Sequence, residues 1–121
     1  MVAKFFSSIN IFIQIKFLEF AKHIKIEEDT LYIYKNRIPK VITNNSIISE
    51  RIKQLGLYET NYASIEKIDC VENLEELCIR FFQDEELPDS IWELKKLKLL
   101  KLEQCEISKL SASIKNLSNL E

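Results

Sequence analysis

Between residues 74 and 120 the apolar positions repeat at an offset of 23: Leu74, Leu77, Ile79 and Leu87 recur as Leu97, Leu100, Leu102 and Leu110, and Ile91, Leu94 and Leu97 recur as Ile114, Leu117 and Leu120. Each copy mixes two periodicities. The pieces Leu77-Cys78-Ile79 and Leu100-Lys101-Leu102 alternate with period two, which predicts short strands with one buried side. The stretch from Pro88 to Leu94 spaces its apolar residues by three, which predicts a helical turn or two. Leu55-Gly56-Leu57 lies 22 residues before Leu77 and predicts a third strand; Leu31-Tyr32-Ile33 predicts a fourth, in a shortened copy. Between them, Asn44, Asn45 and Ser46 offer helix caps ahead of Ile47, Ile48, Ile52 and Leu55, which predicts a short helix over 46–54. Residues 5–26 carry both a strand alternation (Ile9, Ile11, Ile13, Ile15) and a helical stripe (Phe6, Ile9, Ile13, Phe17, Phe20, Ile24), with β-branched richness favouring strand.

The best-formed copy, Leu87 to Ile107, reads L-P-x-x-I-x-x-L-x-x-L-x-x-L-x-L-x-x-C-x-I. It resembles the 23-residue leucine-rich repeat of the Ras-group and of many bacterial leucine-rich-repeat proteins. The resemblance implies an α/β solenoid with parallel concave strands, a helical or irregular convex side and an N-terminal capping segment. Residues 1–30 would be that segment; 31–54 a degenerate copy with an insertion, 55–76 and 77–99 full copies, and 100–121 an incomplete one. Cys105 falls where the consensus takes Asn or Cys and is expected to bond backbone at the corner after its strand. Phe82 replaces that residue one copy earlier, a departure expected to fill the corner with an aromatic ring. Glu121 follows Leu120 where another strand is due, so a fragment of a longer array is expected, or an end that self-associates through exposed Leu117 and Leu120.

Composition narrows the function classes. The 121 residues are 46% hydrophobic and 30% charged, ordinary globular material, and a net charge of −2 gives no basic footprint for nucleic acid. One glycine and two prolines disfavour a phosphate-binding loop. Three cysteines, Cys70, Cys78 and Cys105, without metal-like spacing point to a reducing, cytoplasmic setting rather than a disulfide scaffold. The apolar N-terminus is broken by Ser7, Ser8, Asn10, Gln14 and Lys16, which argues against both a signal peptide and the roughly 20 apolar residues of a membrane span.

Candidate chemistry is sparse. His23 is the sole histidine, which leaves no easy triad or multi-histidine metal site, and Glu27-Glu28-Asp29 and Asp84-Glu85-Glu86 read as solvated turns. No enzyme, metal or cofactor is expected. In the resembled fold, residues alternating with the strand leucines face the concave surface. Those most suited to hold a protein partner are Tyr58, Glu59, Glu76, Cys78, Arg80, Phe81, Leu99, Lys101, Glu103 and Gln104, and Tyr32 and Tyr34 would extend the stripe. Packing against neighbouring strands is the plainer role for each. Two functions follow: a non-catalytic protein-interaction module, or the targeting segment of a larger signalling enzyme or effector.

Overall fold

The computed structural model describes residues 24–121 except Asn36 and Asn45, so the strand-or-helix question for 5–20 lies outside the described residues. Among the described residues five strands form one open sheet in chain order: β1 (Ile24–Glu27), β2 (Thr30–Tyr34), β3 (Gln54–Tyr58), β4 (Glu76–Arg80) and β5 (Leu99–Glu103). β1 and β2 make an antiparallel hairpin, with Glu28 at φ 54° in its turn. The other neighbours are parallel, and Thr30 pairs with Gln54, Gln54 with Glu76 and Glu76 with Leu99, offsets of 24, 22 and 23 residues. The α/β class holds, with short helices at Lys40–Thr43, Ser46–Ser49 and Tyr62–Ile65 and 3₁₀ turns at Ile68–Cys70, Asp89–Glu93 and Ala112–Asn116 on the crossovers.

Period two explains why the core sits on one side of this sheet. Leu31 and Ile33, Leu55 and Leu57, and Leu77 and Ile79 point inward and are buried, and each pair stands in register with the next. Across the core the crossovers contribute Ile65, Ile68, Val71, Leu74, Leu87, Ile91, Trp92, Leu94 and Leu97. The three 3₁₀ turns repeat one hydrogen-bond pattern. Val71, Leu94 and Leu117 each donate to the carbonyl three residues back, and Leu74, Leu97 and Leu120 do the same one step later. The I-x-x-L-x-x-L spacing therefore becomes successive tight turns that aim every third residue inward.

Exposed side chains clamp neighbouring crossovers. Asn73 Nδ2 donates to the Glu50 carbonyl at 3.0 Å, Lys96 Nζ reaches Asn73 Oδ1 at 2.6 Å, and Asn119 Nδ2 donates to the Lys95 carbonyl at 2.9 Å. At the other end of the sheet, Lys35, Glu59, Phe81 and Gln104, each the residue after a parallel strand, adopt φ of 50–57°. The amides of Lys35, Glu59 and Phe81 extend the strand ladder by one bond, onto the carbonyls of Tyr58, Arg80 and Glu103.

Just beyond lies a corner filled three ways: buried Thr60, buried Phe82, and Cys105, whose Sγ donates to the Ile79 and Glu103 carbonyls at 3.4 and 3.2 Å. The expectations for Phe82 and Cys105 are met. Thr60 Oγ1 is buried and has no hydrogen-bond partner. Replacing it with the near-isosteric Thr60→Val removes that cost, so stability should rise by about 1 kcal/mol; a lower urea midpoint would contradict the placement.

Four expectations change. The helix expected over 46–54 stops at Ser49, because Arg51 and Ile52 donate to carbonyls three residues back and the chain then straightens into β3. Leu117 is buried and Leu120 half-buried, so they are not the exposed residues of the last copy; the exposed leucines there are Leu102, 37% exposed on β5, and Leu110, 55% exposed on the crossover after it. Trp92, whose place between Ile91 and Leu94 on the crossover allows either a partly exposed or a tucked ring, is buried with its Nε1 lacking a hydrogen-bond partner. Asp84 is more than solvated charge, since its carboxylate accepts from the Tyr62 amide at 2.6 Å.

Candidate functional site

Strand alternation that buries the leucines turns their neighbours outward, and the constant register aligns those neighbours in rows across four strands. The first row is Thr30, Gln54, Glu76 and Leu99; the second Tyr32, Gly56, Cys78 and Lys101; the third Tyr34, Tyr58, Arg80 and Glu103. All seven strand residues singled out from the sequence, Tyr58, Glu76, Cys78, Arg80, Leu99, Lys101 and Glu103, lie on this open face. The other three, Glu59, Phe81 and Gln104, occupy the left-handed positions after β3, β4 and β5 and form its rim. Phe81 is 42% exposed while Phe82 is buried, so Phe81 is the member of the pair that faces solvent.

Charge on the face is organised in pairs. Glu103 takes Lys101 Nζ on one carboxylate oxygen at 2.8 Å and Arg80 on the other at 3.1 Å. The Lys101 hydrogen bond, with Arg80 adding to it, holds the Glu103 carboxyl below the usual carboxylate range. Lys35 and Glu59 pair at 3.2 Å across the rim, and that contact raises the Lys35 pKa. Two cations also lie over rings, Lys35 Nζ 5.5 Å from the Tyr34 centroid and Arg80 Cζ 5.9 Å from that of Phe81. Exposed pairs of this kind contribute little stability, so their effect is to fix side-chain positions.

Gly56 creates the relief. A methyl group there would meet Tyr32 Cδ1 at 3.0 Å and Tyr58 Cε2 at 3.1 Å, so the two rings lean over the bare backbone, with centroids 6.5 Å apart and planes 22° from parallel. Beside them opens a hollow of about 140 Å³ walled by Thr30, Tyr32, Gln54, Glu76, Cys78 and Lys101. Burial raises the pKa of the Tyr58 hydroxyl and of the Cys78 thiol, the latter aided by the Glu103 charge, so Cys78 is not activated as a nucleophile. Burial and the neighbouring Asp69 push the Cys70 thiol up to about 11. The sequence expectation missed the hollow; the lone glycine was its only signal.

No protein-family model, curated protein or solved structure matches this chain. Among the described residues, no group of three or more His, Cys, Asp and Glu side chains is placed to hold a metal ion, and no helix is long and apolar enough to cross a membrane.

Proposed function

We propose that this chain is a leucine-rich-repeat module that binds a protein partner, without catalysis, on the open face of its parallel strands, the concave surface of a short solenoid. The observation that carries the reading is the register: four strands at offsets of 24, 22 and 23 residues present twelve outward positions as an ordered array. Support also comes from the crossover pattern that recurs at Ile68, Ile91 and Ile114 and from the left-handed residue after every parallel strand. Such a face suits recognition because tyrosines and an arginine supply contact area, while paired charges hold the rest of the surface in place. Three half-buried free thiols accord with a reducing, cytoplasmic setting.

The test is a random-peptide selection against the immobilised protein, followed by binding to the double variant Tyr58→Ala/Arg80→Ala. Affinity should fall at least about tenfold, as expected when two interface anchors are truncated, with cooperative unfolding retained because neither side chain belongs to the buried core. Selected peptides that bind parent and double variant alike would overturn the reading.

A further inference from the structure

Most charged side chains on the open face already have a partner on it. Lys35 is paired with Glu59, and Arg80 and Lys101 are both drawn to Glu103. Glu76 differs: it is exposed on β4, inside the hollow, and forms no ion pair among the described residues. Lys101 shares the hollow, yet it spends its ammonium 2.8 Å from Glu103, two residues further along β5, whereas Glu76 stands in register with Leu99 at the opposite end of that strand. The rings divide in the same way. Tyr34 and Phe81 each carry a cation on the face, and Tyr32, which walls the hollow, carries none among the described residues.

The opposite wall is also spoken for on one side only. Thr30 Oγ1, whose single proton has both Gln54 Oε1 at 3.1 Å and Asp29 Oδ1 at 3.2 Å as acceptors, joins this wall to the hairpin turn, and Gly56 lines the hollow beside it. The site therefore combines a carboxylate, an aromatic face and a cleft narrow enough for one side chain. A lysine or arginine satisfies all three: its alkyl stem lies along Tyr32 and Gly56, and its charged head reaches Glu76. An acidic or purely apolar side chain would leave Glu76 unpaired or desolvate it without compensation.

We infer that the hollow above Gly56 is a specificity pocket for a single basic side chain of the protein partner, held by Glu76 and the ring of Tyr32. This rests on the reading of the open face as a binding surface and adds the chemistry that face selects. An arginine or lysine then sits over the first and second rows, and neighbouring partner residues lie along the third row, over Tyr58 and Arg80.

The experiment uses the selected random-sequence peptides and the amide resonance of Gly56, which is unambiguous because the chain has a single glycine. Expected results are enrichment of one lysine or arginine position and a peptide-dependent shift of the Gly56 amide. Affinity should fall about fivefold in Glu76→Gln, the scale of one solvent-accessible ion pair. In Glu76→Lys the same peptides should lose at least about tenfold through like-charge repulsion. Peptides that shift Gly56 but lack a basic position, or that bind Glu76→Lys as well as the parent, overturn this inference and leave the binding face standing. Peptides that leave Gly56 unmoved, or no enriched peptide at all, overturn the face and the pocket together.

Discussion

Phe82→Ala should cost about 3–5 kcal/mol, the loss typical of emptying a buried aromatic site. The residue is 2% exposed and stands at the corner that Thr60 fills before it and Cys105 after it. Neither the hydroxyl of one nor the thiol of the other spans the volume of a ring, so the cavity in the variant has no neighbour able to close it. Against the about 5–15 kcal/mol that holds a small domain folded, this is a large share. Urea unfolding would show a much lower midpoint at an unchanged slope. A midpoint within error of the parent would mean that the corner is not packed as described. Phe82→Leu, which keeps more of the volume, should fall between the two.

Gly56→Val separates folding from binding more sharply than any other single change. Valine improves strand propensity by up to about 1 kcal/mol, while its Cβ arrives 3.0 to 3.2 Å from the rings of Tyr32 and Tyr58, which must swing away. These opposed effects leave stability within about 1 kcal/mol of the parent. The hollow, however, is filled and the Tyr32 ring that walls it is displaced, so peptides selected on the parent should bind at least tenfold more weakly, about 1.4 kcal/mol. Calorimetric melts beside binding isotherms of the same preparation would check both halves. Unimpaired binding would place the contact surface elsewhere.

Much of this architecture is legible in the chain because one physical rule, alternation, does two jobs at once. The leucine pairs Leu77 and Ile79 or Leu100 and Leu102 announce a strand, and the same count assigns Cys78 and Lys101 to the other face. The offset of 23 then aligns strands without any knowledge of turns. Where the rule lapses, so does legibility. The helix over 46–54 was overextended because capping residues fix where a helix can begin, whereas its end depends on where the sheet takes up β3. The hairpin partner of β2 went unseen, as four residues flanked by an acidic turn carry too little pattern to distinguish it from the apolar run before it. The asparagine clamps were present in the sequence, with Asn73 and Asn119 two offsets apart. As polar residues they fall outside the apolar period, which says nothing of which carbonyl an exposed amide reaches. The hollow required knowing that two rings on adjacent strands lean toward one glycine, a matter of rotamers that no spacing encodes.

The left-handed residues after the four parallel strands have a further meaning. Lys35, Glu59, Phe81 and Gln104 share one backbone conformation and each directly follows a parallel strand, yet they are a cation, an anion, an aromatic and an amide. A conformation that normally favours glycine is here held by the stacked strands, at about 1 kcal/mol or more per residue, and with little demand on what the side chain is. The rim thus behaves like a row of interchangeable letters set in fixed type: the line can be respelled, altering what it reads, while the press that holds it stays the same.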